Sequence, residues 1–197
     1  MTNPKDELKQ DLTNIITGLA ETIRQCQEAK AIREETGKGE RSPLIEGILS
    51  RYIVLDTCRL FAPEDESYPT RSIPAALNYI RFHADYLKIE NRETVIKRLV
   101  AYGQDPKQFE GIPDPWITQL LRKEFADRLP KPGAPESSEL SRALHTLESL
   151  CDKATLNPED RTAIESAVNA LHTYARGFVE TMGKGYLNTD CVSAIEE

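Results

Sequence analysis

The spacing of apolar residues is the feature that most limits how this chain can fold. From Leu8 to Cys26 the apolar side chains recur at steps of three and four residues, which places them on one face of a helix. The same spacing returns near the end of the chain, from Leu140 to Cys151 and from Ile164 to Met182. No segment shows persuasive alternation of apolar and polar residues, the pattern typical of β-strands. The sequence therefore predicts an all-α fold.

The predicted helix starts indicate six or seven helices in the chain. Short connections between them favour antiparallel neighbours in a bundle. The proline-rich stretch at residues 129–138 is predicted to be a long loop within one domain, because the residues beyond it would form only a helical hairpin. We expect a single helical domain over residues 1–183 and a flexible tail over 184–197. Four residue pairs place a capping side chain before a proline, which is typical of helix starts: Asn3-Pro4, Ser42-Pro43, Asp114-Pro115 and Asn157-Pro158.

The second predicted helix is apolar on nearly every side, which is typical of a helix buried by several neighbours. Three charged residues interrupt it: Arg51, Asp56 and Arg59. Buried charges are usually paired or face a cleft, because an unpaired buried charge is strongly destabilising. Asp56 and Arg59 are three residues apart and can meet on one helix face. A structural ion pair, or a solvent-facing edge, is the preferred interpretation, and a functional pocket is the alternative.

Composition and charge exclude several classes of protein. The chain has 197 residues with 39% hydrophobic and 29% charged residues, which indicates a folded globular protein. A formal net charge of -7 does not support a broad nucleic-acid-binding surface, although a small basic site stays possible. No apolar run is long enough to span a membrane, and no apolar signal core follows the N-terminus, so we expect a cytoplasmic protein. The four cysteines form no C-x-x-C pair, which indicates free thiols in a reducing compartment.

The three histidines give no metal-binding pattern. His83, His145 and His172 fall on three separate predicted helices, and none forms a close pair such as H-x-x-x-H. An approach of His145 to His172, with Glu148 or Glu165 nearby, is left open by the sequence. Structural or surface histidines are the expected outcome, and no metal or cofactor is predicted.

Two stretches of the chain resemble a known family. The first runs "LSRYIVLDTCRLFAP", then a polar loop, then "SIPAALNYI". It resembles the central helices of abortive-infection-type HEPN-like proteins, which are all-helical bundles. Arg59, Leu60, Phe61 and Ser72 match the family pattern, whereas Ala62 stands where members have an acid. The resemblance implies a HEPN-like antiparallel core.

The second stretch is "CDKATLNPED", followed by the last long helix. It keeps Asp152, Lys153 and Asn157 of the family pattern, but Cys151 takes the Arg place and Leu156 the His place. Active HEPN ribonucleases resemble one another in an Arg followed four to six residues later by a His. A thiol cannot supply a guanidinium and a leucine cannot transfer a proton. The resemblance therefore implies that this chain does not cleave RNA in the usual way.

These observations predict a non-catalytic, HEPN-like interaction module that binds a protein partner or forms a homodimer. Family resemblance alone suggests phage defence or a toxin–antitoxin setting. One alternative is an enzyme acting on RNA or nucleotides through a rearranged site. Its residues would come from the candidate polar set, which is Arg51, Asp56, Arg59, His145, Asp152 and Lys153.

A second alternative is a small-molecule-binding domain. Tyr79, Tyr86 and Trp116 are aromatic residues of predicted helices, and they could line an apolar groove. Nothing in the sequence selects a ligand for such a groove. It stays a separate hypothesis from the enzyme and from the interaction module.

Overall fold

The chain folds into a bundle of α-helices. The computed structural model describes residues 4–36, 43–63, 71–130, 138–151, 153 and 155–191. Over these ranges it contains seven α-helices and no strand, so the all-α prediction is confirmed. The predicted loop at 129–138 lies largely outside the described residues. The helices are α1 Pro4–Thr36, α2 Pro43–Leu60, α3 Ile73–His83, α4 Arg92–Ala101, α5 Asp114–Arg128, α6 Glu139–Cys151 and α7 Pro158–Met182.

Capping side chains fix two of the helix starts that the sequence predicts, whereas α5 begins at Asp114 itself, after Pro113, without a side-chain cap, and Asn3 and Ser42 lie outside the described residues. The side chain of Ser72 accepts a hydrogen bond from the backbone N–H of Ala75 at the start of α3, at 3.3 Å. At the start of α7, Asn157 and Asp160 exchange side-chain and backbone hydrogen bonds in a capping box. Both caps satisfy amide groups that would otherwise lack partners in the first helical turn. The predicted starts of α3 and α7 are therefore confirmed.

The core forms where α1 packs against α2 and α7, and where α6 packs along α7. The stripe predicted on α1 faces this core: Leu12, Ile16, Leu19 and Ile23 are fully buried, and Cys26 is nearly so. Helices α3, α4 and α5 extend the same apolar cluster. No helix within the described ranges is both long enough and apolar enough to cross a bilayer.

Helix α2 corrects one prediction. The sequence predicts burial by several neighbours, but only one side of α2 packs on α1, α6 and α7. That side carries Ile53, Val54 and Leu60, which are buried. The other side is largely exposed to solvent, although the Tyr52 hydroxyl donates to Gln25 of α1 at 3.3 Å, and it carries further apolar residues. These are Leu44, Ile45, Ile48, Tyr52 and Leu55.

The C-terminal segment corrects a second prediction. A flexible tail is predicted from Lys184, whereas Gly183–Leu187 form a π turn that packs on α4 and α7. The Gly185 carbonyl accepts hydrogen bonds from the backbone N–H groups of Glu90 and Asn91, at 2.8 and 2.9 Å. Tyr186 is buried, and its hydroxyl donates to Thr118 at 2.9 Å. Packing therefore continues to Cys191, and residues 192–197 lie outside the described part.

Candidate functional site

A groove opens at one end of the bundle, where α1 and α6 end and α2 and α7 begin. Its volume is about 630 Å³, within the range of small-ligand sites. Cys151 and Leu156, which stand in the Arg and His places of the HEPN pattern, both line it. Cys151 ends α6 and Leu156 precedes α7, so the groove lies beside the corner between these helices. Its remaining apolar lining consists of Pro43, Leu44, Ile48, Val54, Leu150 and Ile164.

Ion pairs between distant helices border this groove. Arg33 of α1 pairs with Glu165 of α7 at 2.7 Å, and Arg161 of α7 pairs with Glu46 of α2 at 2.6 Å. The Arg161–Glu46 pair is solvent-exposed and contributes at most about 1 kcal/mol, whereas in the other pair Arg33 is 15% exposed and Glu165 is 51% exposed. Arg51 also lines the groove, and no acidic side chain in the described ranges pairs with it. Arg51 is therefore the groove cation that an incoming group can reach most directly.

The corner between α6 and α7 is tied to a helix start. The Lys153 ammonium donates to Asp160 Oδ1 at 2.8 Å, and Asp160 also accepts the backbone N–H of Asn157. The hydrogen bond from Lys153 is the main reason that the pKa of Asp160 is lowered. Lys153 thus supports the start of α7, and Asn157 caps it as predicted. Asp152 of the candidate set lies outside the described residues.

No protein-family model, curated protein or solved structure matches this chain. The chemistry open to the groove is therefore inferred from its own residues. Two members of the candidate polar set, Arg51 and Lys153, both line it. The other described members, Asp56, Arg59 and His145, do not.

Asp56 and Arg59 form the ion pair that the sequence predicts, with 2.8 Å between Arg59 Nη1 and Asp56 Oδ1. The Asp56 side chain is 7% exposed and that of Arg59 is 76% exposed, so the arginine covers a buried carboxylate. Hydrogen bonding to Asp56, together with burial, raises the pKa of Tyr52 to about 12. Burial, and then the Asp56 charge, raise the pKa of the Cys26 thiol to about 12. This cluster holds α1 and α2 together, which is a structural role.

The histidines His145 and His172 play different parts. His145 is exposed on α6, whereas His172 is buried in α7 and shares a hydrogen bond with the Thr57 hydroxyl at 3.0 Å. Burial, and then the charges of Lys30 and Arg176, lower the pKa of His172 to about 4. Among the described residues no group of three or more His, Cys, Asp or Glu side chains could hold a metal ion. His172 therefore acts as a neutral core residue that links α2 to α7.

The half-buried Cys58 near the groove is a poor nucleophile. Burial, and then the neighbouring Glu148 and Cys151, raise the pKa of the Cys58 thiol to about 11. Because the thiolate is the reactive form, a thiol with this pKa is almost entirely unreactive at neutral pH. The raised pKa therefore disfavours the reactive thiolate form of Cys58 at neutral pH.

A row of exposed apolar side chains on α2 adjoins the groove. Leu44, Ile48, Tyr52 and Leu55 follow one another at steps of four, four and three residues, and are 70%, 58%, 37% and 51% exposed. We call these four residues the α2 stripe. Single exposed apolar residues are normal on protein surfaces, but a continuous row on one helix face indicates an interaction site. Leu44 and Ile48 belong to both the stripe and the groove lining.

Sequence reasoning missed the groove partners Arg33, Glu46, Arg161 and Glu165. Arg33 and Glu165 are 132 positions apart, and Glu46 and Arg161 are 115 apart. No local pattern marks either pair, because surface charges of this kind occur on every helix of the bundle. Their meeting depends only on how α1, α2 and α7 pack.

Proposed function

We propose that this protein is a HEPN-like helical module that acts by associating with another protein chain, first of all a second copy of itself. The α2 stripe is the observation that carries this proposal. Fully burying a large apolar side chain contributes roughly 1.5–3 kcal/mol, so covering four of them provides a substantial driving force. The resemblance to abortive-infection proteins suggests a role in phage defence or in a toxin–antitoxin pair.

A second copy fits the stripe because the stripe is complementary to itself. When two α2 helices cross antiparallel about a two-fold axis between Arg51 and Tyr52, Ile48 packs on the partner's Leu55, and Leu55 on the partner's Ile48. A closed two-fold contact of this kind buries the same surface on both subunits. The apolar contacts then form a short seam like that of a coiled coil.

The charged residues on the same face of α2 also favour the antiparallel orientation. In the antiparallel arrangement each Arg51 lies against the partner's Tyr52, where a guanidinium can stack on the ring. Arg59 lies beside the partner's Leu44, so its aliphatic stem can cover that side chain. A parallel arrangement would instead bring Arg51 against the partner's Arg51, which is unfavourable. Homodimerisation through antiparallel α2 helices is therefore the preferred form of association.

The groove supports association more than catalysis. Cys151 and Leu156 offer neither a cation for a phosphate nor a group for proton transfer. The Lys153 ammonium is engaged by Asp160, and the Arg59 guanidinium by Asp56. Among the candidate cations in the described ranges, Arg51 is the one left for a partner.

Light scattering coupled to gel filtration tests the proposal. The wild-type chain, of 22.2 kDa, should elute with twice its own mass at micromolar concentration. The double variant Ile48→Glu/Leu55→Glu should elute as a single chain, because two carboxylates per copy would have to be desolvated in the seam. Circular dichroism should show unchanged helix content in this variant.

Val100→Glu is the matched control. Val100 is an apolar residue of α4 that is 41% exposed and lies outside the α2 stripe. This variant should keep the wild-type mass. A wild-type chain that remains a monomer at every concentration would refute the homodimer, as would an Ile48→Glu/Leu55→Glu variant that still forms the dimer.

A further inference from the structure

A second surface combines exposed aromatic rings with arginines where α3 meets α5. Phe82, Tyr86 and Trp116 are 72%, 60% and 47% exposed. Arg81 and Arg122 accompany them, and we call these five residues the arginine–aromatic surface. Neither the groove nor the α2 stripe includes any of them.

Two hydrogen bonds bring the parts of this surface together. The Gln119 side-chain amide donates to the Arg81 carbonyl at 3.3 Å, and the backbone N–H of Ile89 donates to Asp114 Oδ2 at 3.0 Å. Residue 81 therefore lies opposite residue 119, and residue 89 opposite residue 114. The intervening turn, with Tyr86, runs along the first turns of α5, which carry Trp116. The exposed rings of Tyr86 and Trp116 therefore lie on adjoining segments, although they are distant in the sequence.

The two arginines carry charge that the fold does not neutralise. Arg122 Nε is buried and has no hydrogen-bond partner, which is rare for a buried donor. Burial, and then repulsion from Arg81, lower the pKa of Arg122, while Asp127 acts weakly in the opposite direction. The Arg81 guanidinium is exposed, and no described carboxylate forms an ion pair with it. Two neighbouring guanidinium groups therefore lack a bridging anion among the described residues.

A carboxylate placed against the outer ends of these guanidinium groups would neutralise both charges, while the buried Arg122 Nε stays out of its reach. Guanidinium groups bind carboxylates with charge-assisted and often bidentate hydrogen bonds. The flanking rings are apolar and rigid, and Trp, Tyr and Arg are the residues most enriched where binding energy concentrates in protein interfaces. A net charge of -7 disfavours nucleic acid as the anionic partner. The complementary occupant is a protein segment that combines acidic and apolar side chains.

We infer that the arginine–aromatic surface docks an acidic, apolar segment of a partner protein. This interaction goes beyond the proposed homodimer, because it uses a different face of the molecule. A dimer formed through α2 would carry two copies of the surface. The module would therefore hold two partner segments in a fixed arrangement, which raises the effective affinity for a partner with two such segments.

Selection from a displayed library of random peptides tests the inference, and Trp116 reports on it directly. Trp116 is the only tryptophan of the chain, so peptide binding at this surface should change its fluorescence. We expect the selected peptides to be enriched in Asp and Glu next to aromatic or aliphatic residues. The double variant Arg81→Gln/Arg122→Gln should bind them about tenfold more weakly or worse, the loss typical of a charged hydrogen bond.

Control variants show whether a loss of peptide binding comes from a folding defect or from loss of the homodimer. Lys9→Gln/Lys97→Gln removes the same charge from other exposed positions and should leave peptide binding unchanged. If the double variant misfolds, the single variant Arg81→Gln replaces it in the binding test, because it changes only an exposed side chain. The Ile48→Glu/Leu55→Glu variant should bind peptide as a monomer, so failure of the dimer and failure of this surface are distinguishable.

Three results would overturn the inference. The first is a set of selected peptides with no excess of acidic residues. The second is binding that survives Arg81→Gln/Arg122→Gln. The third is a single-stranded RNA oligomer that quenches Trp116 at physiological salt and displaces the peptides, which would assign the surface to nucleic acid instead.

Discussion

At the scale of the residue, His172 shows how burial changes chemistry. Its pKa in the folded chain is about 4, whereas an unfolded chain gives histidine a pKa of about 6.5. As the pH falls below about 6.5, the unfolded state takes up a proton that the folded state does not. The stability linked to His172 is therefore complete above a pH of about 6.5 and is lost as the pH falls toward about 4.

The variant His172→Gln should remove this pH dependence while retaining a polar group near Thr57. Between about pH 7 and about pH 5 the wild-type free energy of unfolding should fall by about 2 kcal/mol more than that of the variant. Urea unfolding at several pH values measures the difference. His145→Gln, which changes an exposed histidine, should follow the wild type. Parallel curves for wild type and His172→Gln would contradict the prediction.

Sequence reasoning reaches some of these residues and not others. The pair Asp56–Arg59 is predictable because three residues separate its members on one helix. The bond between Thr57 and His172 is not, because 115 positions separate them and only the packing of α2 on α7 brings them together. Local spacing therefore predicts contacts within a helix, whereas contacts between helices require the fold.

At the scale of the element, helix starts are easier to predict than helix surroundings. The caps at Ser72 and Asn157 are local features, and the structure confirms them. The apolar character of α2 predicts burial by several neighbours, and α1, α6 and α7 do cover one side, but apolar residues on the other side are exposed. Composition indicates that a surface is apolar, but it cannot tell whether the surface is covered by the same chain or by another one.

The segment after α7 gives the second prediction at this scale. Its Gly185 is buried, and a Cβ added there would come within 2.7 Å of Val95 Cγ2. Gly185→Ala should therefore strain the contact between the π turn and α4, with a loss of about 1–3 kcal/mol in urea unfolding. This contact is not visible in the sequence, because residues 184–191 are too few to show a periodic pattern.

Gly47→Ala is the matched control for Gly185→Ala. Gly47 lies inside α2, and an added Cβ would meet nothing within 4 Å. Alanine there should stabilise the chain by about 0.5–1 kcal/mol, because glycine loses more backbone freedom in a helix. Both variants should be compared at one protein concentration. Equal effects of the two substitutions would mean that residues 183–191 do not pack as described.

At the scale of the whole molecule, the antiparallel and parallel dimers make different geometric demands. A two-fold axis perpendicular to α2 places only the residues near Tyr52 close to their own copies. Leu44 would then face the partner's Arg59, about 22 Å along the helix from the partner's Leu44 at about 1.5 Å per residue. A parallel dimer would bring every position of the stripe next to its own copy.

Cross-linking through single cysteines distinguishes these arrangements. Tyr52→Cys should give a covalent dimer on mild oxidation, because the two thiols would lie near the axis, whereas Leu44→Cys should not. Cys26 and Cys191 are buried, and Cys58 and Cys151 are half-buried, so the wild-type chain measures the background. Efficient cross-linking of Leu44→Cys would favour the parallel dimer. If neither variant cross-links although a dimer is present in solution, the interface does not involve α2.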